Sequence, residues 1–116
     1  MLDIVEALRR SPIVKHVRIA DLIDEAAVRY LKCRAELTDG SSLHIKESSI
    51  AGKNKYSYHW QDAQNQLIVR WDNASHHHHL STFPHHRHEA GTVHENPRIT
   101  IDEVLNEIEA RFKAAG

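Results

Sequence analysis

Leu2, Val5 and Leu8 recur at three-residue spacing until Ser11-Pro12. That spacing predicts one short helix over residues 2–10, ended by the proline. Beyond it the period falls towards two. Val17 and Ile19 alternate with His16 and Arg18 in a strand expected over residues 13–20, and a turn is expected over residues 21–25. Residues 28–37 alternate more cleanly, with Leu31, Cys33, Ala35 and Leu37 on one side and Lys32, Arg34 and Glu36 on the other. After Thr38-Asp39-Gly40, Leu43 and Ile45 alternate with His44 and Lys46. A two-residue loop would set apolar against polar faces. A three-residue loop with Gly40 in the left-handed region instead pairs Ala35 with Leu43 and Cys33 with Ile45, so one coherent apolar face results.

A second hairpin is expected from residues 55–61 and 66–72 around a polar turn at Asp62–Asn65. With four residues in that loop, His59 faces Ile68 and Ser57 faces Arg70. Tyr58, Trp60, Leu67, Val69 and Trp71 then share one face, and Ser57, His59, Arg70 and Asp72 share the other with Ile68. Residues 73–98 show no sustained period, so a long histidine-rich loop is expected there. Thr100 and Glu103 form a capping box, and Ile99 and Val104 a hydrophobic staple. Ile101, Val104, Leu105, Ile108 and Phe112 make one stripe of a terminal helix from about residue 101 to 114. The expected fold is a single α+β domain spanning residues 1–116. It has a mostly antiparallel sheet of about five strands, a short N-terminal helix and a C-terminal amphipathic helix.

Composition narrows the class. A chain of 116 residues suits one core. With 41% hydrophobic and 27% charged residues it is too apolar for a disordered protein. No apolar run is long enough for a membrane span and Met1 opens no signal-peptide pattern, so a cytoplasmic protein without membrane contact is expected. The single Cys33 excludes an internal disulfide and a CxxC site. Sixteen acidic against fifteen basic residues leave no global basic field.

The anomaly is histidine. Of eleven, seven lie between His76 and His88, in a stretch with no acidic residue. Imidazole titrates near neutrality, so this segment becomes cationic where the whole chain is not. Four adjacent histidines, His76–His79, cannot all reach one metal, because successive side chains diverge. A divalent metal such as zinc would draw on Asp72, His85 and His88, a spacing that matches no established signature. Acid-base chemistry without a cofactor asks for fewer coincidences. RNA cleavage needs a base for the ribose 2′-hydroxyl, an acid for the leaving 5′-oxygen and a cation for the phosphorane charge. His59, Arg70 and Asp72 on the sheet, with His76, His77, His86 and His88 from the loop, supply those types. His86 or His88 is the expected acid or base, and Arg70 the charge stabiliser. Lys53, Lys55 and Arg87 are the candidate substrate contacts, although the two lysines suit an exposed turn better than a phosphate grip. Arg70 and Asp72 also read as a plain salt bridge, and His16 and His44 as ordinary strand positions.

Three segments, Tyr56-Ser57-Tyr58-His59-Trp60-Gln61-Asp62, Arg70-Trp71-Asp72-Asn73-Ala74 followed by His76-His77, and Pro84-His85-His86-Arg87-His88, together resemble the TumE family. That family is described as the toxin component of type II toxin-antitoxin modules, and the likeness runs through nearly the whole chain. His78 and His79 extend the family's histidine pair. The resemblance implies a cognate protein antitoxin of helix-turn-helix type. The expected function is therefore a toxin that attacks RNA as a small ribonuclease, with a homodimer left open. Two competitors differ in class. One is a metal-dependent nuclease or phosphohydrolase using Asp72 and loop histidines. The other is a non-enzymatic binding protein.

Overall fold

Helix α1, Leu2–Arg10, buries Ile4, Val5, Ala7 and Leu8 and ends at Ser11, where the chain turns extended ahead of Pro12. The computed structural model describes all residues, 1–116. Seven strands follow in chain order: β1 (Val14–Asp24), β2 (Val28–Leu37), β3 (Ser42–Ile50), β4 (Lys53–Gln61), β5 (Leu67–Asp72), β6 (His86–Glu89) and β7 (Thr92–Glu95). Helix α2, Ile101–Ala115, closes the chain. The strands form one antiparallel meander in sequence order. Both helices lie against the same face, and their buried residues join Leu31, Cys33, Ala35, Leu43, Ile45, Tyr58, Trp60, Val69 and Trp71 in a single core. The opposite face is open.

The first hairpin follows its alternation. Ala35 faces Leu43 and Cys33 faces Ile45, and Gly40 takes the positive φ of +89° that a three-residue loop requires. Burial pushes the Cys33 thiol up to about 11, which leaves it a protonated core residue. The capping box is also formed, with the Thr100 hydroxyl accepting from the Glu103 amide and the Glu103 carboxylate accepting from the Thr100 amide.

Four departures from expectation have physical causes. The turn expected at 21–25 is instead the end of β1, because Leu22 and Ile23 pair with Leu31 and Tyr30; the reversal comes after Asp24. In the second hairpin His59 faces Arg70, and Ser57 faces Asp72. There, Asn65 adopts a left-handed φ of 63° and the Asp62 amide donates to the Gln66 carbonyl, so Gln61 pairs with Leu67. A bulge then shifts Trp60 onto Val69. Two one-residue shifts add to two, so the pairing partners change while the apolar and polar sets keep their faces. Leu67 lies before the bulge and is 46% exposed, whereas Ile68 packs against the core. Finally, the stretch expected as an irregular loop contains β6 and β7, which raises the sheet from about five strands to seven. Their two-residue turn, Ala90-Gly91, has positive φ at both positions, the geometry that matches strand twist in tight hairpins. No helix is long and apolar enough to cross a membrane.

Candidate active site on the open sheet face

Strand β6 is polar throughout, so its fit in the sheet is decided by partners rather than by an apolar period. Arg87 and Glu89 point to the helix side. Arg87 bonds Glu107 at 2.6 Å and Glu89 at 3.1 Å, and Arg111 bonds Glu89 at 2.8 Å and Glu107 at 3.0 Å. Arg87 also lies over the Trp71 ring. This four-membered network ties β6 to α2. It also removes Arg87 from the substrate role expected for it, because its guanidinium faces away from the open side.

With Arg87 held behind the sheet, the alternate residues His86 and His88 must face forward, opposite Asp72 and Arg70 of β5. Asp72 is 4% exposed and becomes the hub. Its Oδ1 accepts from the Ala74 amide at 2.9 Å and lies 2.9 Å from His86 Nε2. Its Oδ2 accepts from Arg70 Nε at 3.1 Å and lies 3.5 Å from His88 Nε2. His86 is 2% exposed and its Nδ1 lies 2.9 Å from the Pro84 carbonyl, so the ring bridges two oxygens and has no nitrogen left for a substrate. His88 is half-buried, with Nδ1 free of the carboxylate. His59, across the strand from Arg70, holds Nδ1 3.3 Å from an Arg70 terminal nitrogen.

The loop contributes His77, at a positive φ of 61°, with its ring 5.2 Å from that of His86 and 5.9 Å from that of His88. His76 is exposed at its side, ring 6.2 Å away. Asn73 anchors the start of this loop. Its carbonyl accepts from the Tyr56 amide and its amide donates to the Asn54 carbonyl, both at 2.9 Å. The expected residues His59, Arg70, Asp72, His77, His86 and His88 thus share one face, with His76 at the rim.

Other expected residues go elsewhere. His85 turns away and stacks on Tyr56, whose hydroxyl is pushed up to about 12 by burial and lies 2.9 Å from His85 Nδ1. The metal set Asp72, His85 and His88 is therefore not assembled. Lys55 borders a groove of about 330 Å³ that reaches Arg70 and Asp72, while Lys53 is exposed at the β3–β4 turn. His44 is the residue that sequence reasoning missed. It faces His59 directly, ring centroids 6.1 Å apart, which its register opposite Arg34 in the first hairpin already placed on the polar side.

A different trio, His77, His86 and His88, offers ligand nitrogens all within 4.8 Å of one another. Tetrahedral zinc with imidazole ligands needs nitrogens about 3.4 Å apart. His86 would also have to surrender its bond to Asp72 or to Pro84. A metal there would take one nitrogen from each ring and leave the other His86 nitrogen on Asp72 or on the Pro84 carbonyl.

Burial holds His44, His59, His85 and His88 below the ordinary imidazole value of 6.5. Arg34 and His59 reinforce this at His44, Arg70 at His59, and Arg98 and His86 at His85. At His88 the Asp72 carboxylate opposes the effect without reversing it. All four rings therefore resist protonation more than a free imidazole does. The unfolded chain takes up protons at these rings near pH 6.5 while the folded chain resists. Their contribution is thus fully present above that pH and is lost as pH falls through their lowered values. Thermal melts should show a lower midpoint at pH 5.5 than at pH 7.5, and a smaller difference in His59→Gln. An equal or higher midpoint at pH 5.5 would contradict this.

No curated protein and no solved structure matches the chain. A family model described as Toxin TumE matches residues 4–112.

Proposed function

Because the chain belongs to the TumE toxin family, we propose that it is the toxin of a toxin-antitoxin pair and acts by cleaving RNA without a metal. Membership implies an antitoxin partner in general; the helix-turn-helix type and a cytoplasmic site of action belong to the proposal. The observation that carries the chemistry is the Asp72 hub, one buried carboxylate that orients Arg70, His86 and His88 on the open face.

In this reading Asp72 holds His88 by Nε2, so Nδ1 takes the proton of the ribose 2′-hydroxyl. The 2′-oxygen bonds to phosphorus, the bond from phosphorus to the 5′-oxygen breaks, and His77 gives that oxygen a proton. The products are a 2′,3′-cyclic phosphate and a 5′-hydroxyl. Arg70, part-exposed beside the hub, meets the charge that develops on the phosphorane. His59 donates to a phosphate oxygen through Nε2, its Nδ1 being taken by Arg70. His86, buried with both nitrogens engaged, is a positioning residue.

The test is to induce the chain with and without its genomic neighbour, sequence cellular RNA 5′ ends, and assay the purified protein in EDTA. New 5′-hydroxyl ends that persist in EDTA are expected. Cleavage abolished by EDTA and restored by one metal would favour the metal-dependent competitor. Growth arrest that survives in His88→Gln without new ends would favour a binding protein.

A further inference from the structure

The strand registers stack one continuous row across the open face: Arg18, Arg34, His44, His59, Arg70 and His88, each directly opposite the next on strands β1 to β6. At about 4.8 Å per strand the row is roughly 24 Å long. A neighbouring row places Lys32 opposite Lys46. Arg18, Lys32, Arg34 and Lys46 are all exposed, and none of them makes an ion pair. Together with the two imidazoles they border a groove of about 510 Å³ that no carboxylate lines. Asp21, opposite Lys32, and Glu36, opposite His16, stand outside it.

Like charges directly opposite one another destabilise a sheet, and this face keeps two such pairs, Arg18 with Arg34 and Lys32 with Lys46. The chain as a whole carries a formal charge of −1, so these cations are segregated here rather than in general excess. Acidic residues gather on α2, with Asp102, Glu103, Glu107 and Glu109. A polyanion laid along the row would offset the repulsion and release the counterions the cations otherwise hold.

We propose that the β1–β3 end of this row, Arg18, Arg34, Lys32 and Lys46 with His44, is a phosphate track for single-stranded RNA lying across the β-strands. The track leads to the scissile phosphate at Arg70 and His88. This rests on the ribonuclease reading for its direction and extends it to the substrate. The two cationic rows are neighbours in one groove, which suits one file of phosphates rather than the two separated files of a duplex. The row accommodates about four nucleotides, the lower end of what small single-strand-binding domains cover.

The test uses the full chain carrying His88→Gln and a fluorescent ten-nucleotide RNA with 2′-O-methyl riboses, read by anisotropy between 50 and 200 mM salt. Arg18→Gln/Arg34→Gln should weaken binding. It should also flatten the slope of log affinity against log salt by about 1.4, at about 0.7 per phosphate contact. Lys32→Gln/Lys46→Gln should do the same independently. Arg9→Gln/Arg10→Gln removes two exposed cations from α1 and should leave the slope unchanged. Unchanged binding in both sheet variants, an equal loss in the α1 variant, or equal competition by duplex RNA would overturn the proposal. Binding with the expected slopes but no cleavage of unmodified RNA by the wild-type chain sinks the ribonuclease reading alone. A parent chain that binds no RNA sinks both.

Discussion

His88→Gln is expected to lower RNA cleavage by about 10²–10⁴-fold, the range that a positioned general base supplies, while leaving the melting midpoint close to that of the wild type. The two expectations differ because the ring does two separable things. Structurally it is half-buried, and its only close polar contact is Asp72 at 3.5 Å. Glutamine fills similar space and can still donate towards that carboxylate, so little stability should be lost. Chemically it is the imidazole of the hub with a free nitrogen, and an amide cannot accept the 2′-hydroxyl proton. His78→Gln is the control, since His78 is exposed and stacks only on Phe83; cleavage should be unaltered. The pH profile adds a second readout. The wild-type rate should fall below about pH 6.5 as His88 and His59, both held below their ordinary value, gain protons. A His88→Gln protein that cleaves at the wild-type rate would remove His88 from the mechanism.

Asp72→Ala should cost more in folding than any single histidine change, about 3–5 kcal/mol, the usual penalty for removing one partner of a buried, hydrogen-bonded charge pair. Alanine leaves His86 Nε2 facing an empty position at 2% exposure, and it strips the Ala74 amide and Arg70 Nε of their acceptor. Against a typical domain stability of about 5–15 kcal/mol, the urea midpoint should move far down. Asp72→Asn separates structure from chemistry. Its carbonyl can still accept from the Ala74 amide, so most of the stability should return. One neutral oxygen cannot orient Arg70 and His88 together, so cleavage should stay low. If Asp72→Ala unfolds at the wild-type urea midpoint, the carboxylate is not the hub that the geometry describes.

Both expectations rest on residues whose types were visible in the sequence and whose grouping was not. Helix α1, the capping box of α2 and the Ala35–Leu43 pairing follow from spacings within a few residues, where periodicity and turn chemistry act locally. The sorting of Ser57, His59, Arg70 and Asp72 onto one face was equally legible, because alternation along a strand survives an even shift in register. Which residues meet across strands was not. His59 faces Arg70 only because a left-handed Asn65 and a bulge before Val69 each move the pairing by one residue. Strand β6 was hidden for another reason. Its four residues are all polar, so no apolar period marks it. Arg87 and Glu89 are drawn to Glu107 and Arg111 on α2, some twenty residues away in the chain, and this aims His86 and His88 at Asp72. The sequence by itself determined the two helices, the first five strands, the open polar face and an excess of imidazole. The tertiary structure decided which imidazoles share a carboxylate, set His85 and Arg87 apart from them, and brought His44 into the row, because cross-strand register and long-range ion pairs have no local signature.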